Sequence, residues 1–462
     1  MSAPARALLD VSHGGPLHPL TKAAFDAVGD AGWSDPAAVT SEGRRASHLR
    51  ATALESLAAS LAPSVSGTTA HVFPGGGQAL AAALLGLLRN SRPLIVSAID
   101  HSAALRVARW WESHGNPVVV VPVDHQGHLN IEAALPALDA LGHGANAVAS
   151  LQLANGEVGT RQNIEPLLTI LTAYATDVVV DATACAGRIP LPTGWSVLVA
   201  DAVSWGGPRG VGIVVTAPTG RWREAEPAIG TELPVALTVA AAAVLERAIA
   251  ERDDTADVAY RQIARIRDAL SQIADIDVAG DSTQRLPHIL TASALYCHGE
   301  SLARALDAQG VSVGSGSACA NDSGEPSHVL AAMGVLTGGN IRLCLPLNCP
   351  NEHIDRFLNA LPAALAQVRE DVGMSTSDLS RPTESSEPDA WLDERGNRCP
   401  APVIALARAA FTRDPGTIVA VMASDPAAAT DIPAWCRMRG TEFLGERDPR
   451  DGGEGRAYLV RL

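Results

Sequence analysis

Between residues 66 and 216, short apolar β-branched runs alternate with longer segments whose apolar positions recur every three or four residues. Continuous apolar runs of this length predict strands covered on both faces, and the wider spacing predicts amphipathic helices. The expected strands are Leu94–Ile99, Val118–Val123, Ala147–Leu153, Val178–Asp181, Val197–Ala202 and Val211–Val215, with helices at Ser102–Trp111, Ile131–Leu141 and Ile164–Tyr174 between them. This βαβ rhythm gives a mostly parallel α/β sheet. The Ala- and Leu-rich stretch Leu233–Arg265 reads as one long helix, and a weaker α+β pattern from about 276 to 370 reads as a second, smaller lobe.

Residues 371–388 are acidic and rich in Ser, Thr and Pro, too polar to bury a core, and predict a linker. After them, Ala390–Leu462 has its own pattern: a short strand, a helix Ala401–Thr412, a strand Ile418–Met422, a helix near Ile432 and a strand Ala457–Val460. The expected organisation is a body over 1–370, a linker over 371–388 and a small α+β domain over 389–462. Within the body, a large lobe covers about 13–250, and a small lobe takes about 251–370 together with the N-terminal segment.

Charge narrows the function. The 462 residues carry a net charge of −15, which disfavours clamping a phosphate backbone, so no direct nucleic-acid binding is expected. Cysteines stand at 185, 297, 319, 344, 349, 399 and 436, with no Cys-x-x-Cys and no His/Cys metal box. Reduced thiols, no metal and a cytoplasmic location are expected. No run of about 18 apolar residues predicts a membrane span. Lys22 is the sole lysine, and every other one of the 35 basic residues is arginine.

Several positions could carry chemistry. In Arg398-Cys399-Pro400-Ala401-Pro402 the cysteine stands just before a helix, whose dipole favours a thiolate, so an acidic, exposed Cys399 thiol is expected. Cys319 lies in Ser315-Gly316-Ser317-Ala318-Cys319-Ala320, a small-residue loop suited to a mobile nucleophile. Gly75-Gly76-Gly77 precedes a helix, a place where free amides hold phosphate, although a triple glycine alone is a weak signal. Arg342 at a strand start is suited to a bidentate carboxylate contact and equally to a structural ion pair; Asp181 ends a strand, where a lone Asp more often caps.

Two resemblances sharpen this. Arg398-Cys399-Pro400-x-Pro402, Asp425-Pro426-Ala427 and Asp431-Ile432-Pro433-x-x-Cys436 resemble the TusA family of sulfur carriers, which implies a persulfide on Cys399; Cys436 is read as packing beside the Pro-Trp turn. The region 7–370, through Ser315–Ala320 and Glu325-Pro326-Ser327-His328-Val329-Leu330, resembles the cysteine desulfurases. Those are pyridoxal-phosphate enzymes of the type I, class V aminotransferase fold. The resemblance implies Cys319 as nucleophile, Arg342 on the substrate carboxylate, Asp181 at the pyridine nitrogen, and His101 stacked on the ring. It further implies Asn155 at the ring hydroxyl and Gly76 and Gly77 at the phosphate, with cysteine as substrate, a homodimer, and sulfur-donor or sulfur-acceptor proteins as partners.

The chain departs from that pattern where the cofactor is held. In Asp201-Ala202-Val203-Ser204-Trp205-Gly206-Gly207-Pro208-Arg209-Gly210, Ser204 falls at the Schiff-base lysine and Val203 at the histidine before it. Asp201 stands at a phosphate-binding serine, Gly77 at a phosphate-binding threonine, and Ala184 at a glutamine. A serine forms no Schiff base, and Arg209 is no usable amine. Three readings stay open: a desulfurase passing persulfide from Cys319 to its fused acceptor Cys399, a degenerate homologue that accepts persulfide without pyridoxal phosphate, and a scaffold for an active desulfurase.

Overall fold

The computed structural model describes residues 6–142, 146–171, 173–218, 220–224, 233–315, 326–371 and 388–462. At its centre is a seven-stranded sheet of β2 (Thr69–Phe73), β3 (Leu94–Ser97), β4 (Val118–Val121), β5 (Ala147–Gln152), β6 (Ala175–Asp181), β7 (Val197–Asp201) and β8 (Gly212–Thr216), in the order β2-β8-β7-β6-β5-β3-β4. Neighbours from β7 to β4 are parallel, and β8 is antiparallel to both β7 and β2. Every residue of β3 and β5 is buried, which a strand roofed by helices on both faces requires.

One roof is α3 (Gly76–Leu85) and α4 (Ser102–Ser113), whose Leu80, Leu84 and Val107 share a core with Val96, Val148 and Val199. The other is built from α2 (Ser41–Leu61), α5 (Ile131–Leu141), α6 (Ile164–Leu171) and α7 (Val235–Ala250), packed on Ile95, Ala149, Val180 and Leu198. Lys22 lies exposed on α1 (Pro19–Val28), which packs against α7. The small lobe carries the antiparallel sheet β12-β10-β9, from β9 (Ile276–Ala279), β10 (Ile289–Ala294) and β12 (Asn340–Cys344). It is covered by α8 (Arg252–Leu270), α9 (Gly299–Ala308) and α11 (Asn351–Asp371), with the six-residue α10 (His328–Met333) leading into β12. At its edge β1 (Ala7–Leu8) pairs in parallel with β11 (Val311–Ser312).

The expected single helix over Leu233–Arg265 is corrected to two. Glu251 leaves helical geometry (φ −102°, ψ 4°), ending α7, which is buried in the large lobe, and opening α8, whose apolar face belongs to the small lobe. Two cores pull on two ends of one apolar run.

The C-terminal segment forms a second four-stranded sheet, β13-β14-β16-β15, from β13 (Ala390–Asp393), β14 (Ile418–Ala423), β15 (Glu442–Arg447) and β16 (Arg456–Arg461). Only β13–β14 is parallel. Two helices, α12 (Ala401–Thr412) and α13 (Ala428–Arg439), cover it. Most of the expected linker, 372–387, lies outside the described residues.

Candidate functional site

The parallel strands end together, and their C-terminal loops line a cavity of about 440 Å³, continuous through Gly76, Gly77, Asp201 and Val203 with a wider entrance of about 690 Å³. Crevices at this edge are where open α/β sheets bind ligands. Gly76, Gly77, His101, Asn155, Ser204 and Arg342 all line the cavity. Asp181 ends β6 behind Thr183, which also lines it.

The glycine turn does open a helix N-terminus, but its cradle is filled from within the chain. Asp201 Oδ2 accepts the Gly76 amide at 2.6 Å, and its Oδ1 accepts Val203 N at 3.0 Å. A Cβ placed on Gly76 would stand 2.6 Å from that carboxylate. Burial holds the Asp201 carboxyl above its usual range, offset in part by these amides and His101. Gly77 meets the His101 ring instead, and His101 Nδ1 caps α4 by accepting Ala103 N at 3.1 Å.

Ser204 is committed as well. Its hydroxyl reaches the Ala186 carbonyl at 2.8 Å and the Asp201 carbonyl at 2.9 Å, and its own carbonyl accepts Nε of the buried Arg188. Asn155 spends both ends of its amide: Nδ2 donates to Ile99 O and Gln152 Oε1, while Oδ1 accepts Glu157 N and Val158 N. No donor of Asn155 is left for a ring hydroxyl. Arg342, buried at 6% exposure, pairs with Asp10 at 3.1 Å and donates to Ser12, which ties it to the N-terminal segment.

Asp181 lies at the end of β6. Its Oδ1 accepts the amide and hydroxyl of Thr183, while Oδ2 is buried without a hydrogen-bond partner among the described residues. An orphaned buried carboxylate oxygen suits a protonated ring nitrogen. Pyridoxal phosphate therefore finds a suitable group in this cavity only for its ring nitrogen. Ser204 supplies no amine, and a phosphate dianion would meet the Asp201 carboxylate on the amide it needs, so the residues do not fit a covalently anchored cofactor.

Residues missed in the sequence crowd the same cavity. Burial raises the Asp100 carboxyl to about 7 and lowers Arg188 to about 10, and it pushes His288 well below the ordinary imidazole range. Each sits at a strand or turn end inside an apolar run, and a polar residue so placed was the available signal.

Cys319 lies outside the described residues. Its described flanks meet this cavity: Gly314 pairs through its backbone with Arg342, and Pro326, Ser327 and His328 line the wall. Cys185 and Cys344 are buried thiols, pushed far up by burial.

For Cys399 the structure corrects the expected acidic, exposed thiol. The residue is half-buried before α12, and burial, followed by the Asp431 and Asp425 carboxylates, drives its pKa strongly upward. Asp425 Oδ2 accepts the Cys399 amide at 2.5 Å. Two nearby carboxylates in a desolvated pocket outweigh the partial charge of one helix end. Cys436 is buried beside Trp435.

Asp431 also links the C-terminal unit to the body. Its Oδ1 accepts the amide of Thr337 at 2.7 Å and the Thr337 hydroxyl at 2.8 Å. Around it Trp435 Nε1 donates to the Tyr296 hydroxyl at 2.8 Å, Arg439 pairs with Asp275 at 2.8 Å, and Arg437 donates to the Gly334 carbonyl. Leu295, Tyr296 and Leu336 join Ile432, Trp435 and Val403 in one apolar cluster.

Comparison with known proteins agrees with this architecture. Residues 71–233 and 229–357 match the family described as aminotransferase class-V, and residues 391–461 match sulfurtransferase TusA. The chain is 30% identical over 318 residues to cysteine desulfurase IscS of Dictyoglomus turgidum, covering 64% of this chain and 79% of the relative. It is 31% identical over 317 residues to a cysteine desulfurase of Nostoc sp., covering 64% and 76%. Among solved structures, a NifS-like protein superposes with a TM-score of 0.68 at 23% identity over 78% of this chain and 100% of that one. The Escherichia coli cysteine desulfurase CsdA gives 0.62 at 16% identity, over 79% and 95%; both likenesses concern the fold. The chain belongs to the class-V aminotransferase family, among relatives named cysteine desulfurases, with a TusA domain fused behind it, and its business is the mobilisation and transfer of sulfur.

Proposed function

We propose that this chain relays sulfur as a persulfide between Cys319 and Cys399, and that its desulfurase-like body does so without covalently held pyridoxal phosphate. The observation that carries the second half is the Asp201 carboxylate on the Gly76 amide, beside a serine that cannot form a Schiff base. Support for the relay is the docking of the Cys399 unit at Thr337, which only α10 and its following turn separate from the cavity wall at His328.

The transfer balances without oxidant or reductant. The Cys399 thiol gives up its proton, its sulfur attacks the outer sulfur of a persulfide on the donor cysteine, and a new S–S bond forms. The donor's own S–S bond breaks with the electron pair left on its Sγ, which takes up a proton. Cysteine serves as substrate to whichever separate enzyme generates the first persulfide; a homodimer and outside sulfur-acceptor proteins complete this reading.

A second reading, a noncovalently bound cofactor, is favoured by the orphaned Asp181 Oδ2. Two measurements test the proposal. Incubation with a small-molecule persulfide labelled in its outer sulfur, followed by peptide mass spectrometry, should place the label on both cysteines, and Cys319→Ser should deplete label at Cys399. An unlabelled Cys399 overturns the relay. The protein mixed with pyridoxal phosphate and then desalted should be colourless, whereas a stoichiometric visible band that responds to cysteine supports the second reading.

A further inference from the structure

The contact between the C-terminal unit and the body and the surroundings of Cys399 share one carboxylate. Asp431 is fully buried. One oxygen takes both hydrogen bonds from Thr337, and the other is buried without a well-aligned partner among the described residues while the Cys399 thiol faces the group. The Gly338 backbone closes in beside it: a Cβ there would come within 3.2 Å of Asp431 Oδ2. The carboxylate that faces the Cys399 thiol is therefore the one the body holds through Thr337 and Gly338.

The body presents this surface deliberately. Asp275 and Tyr296, which meet Arg439 and Trp435, both hold left-handed backbone at φ 64°. A bulky residue rarely adopts that region, and it persists only where surrounding structure enforces it. Here the enforcement is visible. Leu295 N donates to the Asp275 carbonyl at 2.9 Å, and Arg369, buried in the last turn of α11, reaches the carbonyls of Leu295 and Ala274. The loop pair is braced from below and aimed at α13.

We propose that this contact is a clasp: the body's Asp275, Tyr296 and 334–338 surface docks the C-terminal unit so that Asp431 and Thr337 close over Cys399, and sulfur leaves Cys399 only when the clasp opens. The proposal rests on the reading of Cys399 as a sulfur carrier and adds when that sulfur is accessible. It also states the chemistry of the outside acceptor. A protein that takes sulfur from Cys399 replaces the clasp, so it offers a hydroxyl or amide donor to Asp431 and an apolar patch to Trp435. Closed, the clasp keeps a persulfide from reacting with stray thiols; open, it releases one to the acceptor.

Alkylation of the full chain by iodoacetamide, followed residue by residue with mass spectrometry, tests it. Leu336→Arg places a charge in the shared apolar cluster without touching Cys399, and Tyr296→Phe removes the partner of Trp435. Expected are a rise of about 10-fold or more in the Cys399 rate for Leu336→Arg and about 3-fold for Tyr296→Phe, with buried Cys185 and Cys344 unreactive in both. An unchanged Cys399 rate overturns the clasp. If Leu336→Arg unfolds the body, Cys185 reacts too, and Tyr296→Phe then decides by the same criterion. Failure here leaves the sulfur-label result untouched, so the clasp and the relay fall separately.

Discussion

Asp201 shows how one side chain redirects a site. At the end of β7 it has the geometry to accept two amides, one from its own turn and one from the glycine turn across the sheet. A serine there would share the Gly76 amide with an anion, but a carboxylate competes for it. Asp201→Ser is therefore expected to raise affinity for pyridoxal phosphate by at least 10-fold, read by equilibrium titration of tryptophan fluorescence; no gain would show that the cradle is not the obstacle. Asp100 allows a second prediction at this scale. Its folded pKa of about 7, raised by burial and then by Asp181, lies above the unfolded value near 4. The folded state then binds a proton more tightly, so the favourable effect is full below about pH 4 and is lost as pH rises toward 7. Asp100→Asn should flatten the decline in urea midpoint between pH 5 and 8 and leave the variant more stable at pH 8 by up to about 4 kcal/mol.

Among the elements, the buried strands and amphipathic helices of the large lobe were legible because their patterns are local. Ile131–Leu141 and Ala401–Thr412 fall where the spacing sets them. Strand β15 escaped the pattern because Glu442–Arg447 is a half-exposed edge strand with polar ends, bent by an irregularity between Phe443 and Gly445. The break at Glu251 escaped too, since one apolar run serves two cores. The turn that carries Ser204 is anchored by Trp205, fully buried with Nε1 donating to Ala241 O at 3.0 Å. Trp205→Ala is expected to cost about 3–5 kcal/mol. A fall in urea midpoint and loss of the Ser204 turn's protection from hydrogen exchange would confirm it; a loss under 1 kcal/mol would contradict the anchoring role.

At the level of the whole molecule, the shared cluster of Leu295, Tyr296 and Leu336 with Trp435 and Ile432 couples two units that each carry a sheet of their own. Calorimetry should show the C-terminal unit melting together with the small lobe, and Leu336→Arg should split off an earlier transition for the C-terminal unit. A single transition in both proteins would mean that the contact is not what couples them. Cys399 misled a local reading because a helix dipole belongs to the element, whereas the Asp431 and Asp425 carboxylates reach the thiol only through the fold of its unit.

From the sequence alone came the α/β class, the second unit after an acidic linker, the candidate cysteines and the vacancy at the lysine position, because periodicity, composition and contiguous motifs are written along the chain. Only the tertiary structure decided what fills the phosphate cradle and what faces Cys399. Asp201 and Gly76 lie 125 positions apart and Thr337 and Asp431 lie 94 apart, and no local pattern records which distant groups folding will bring together.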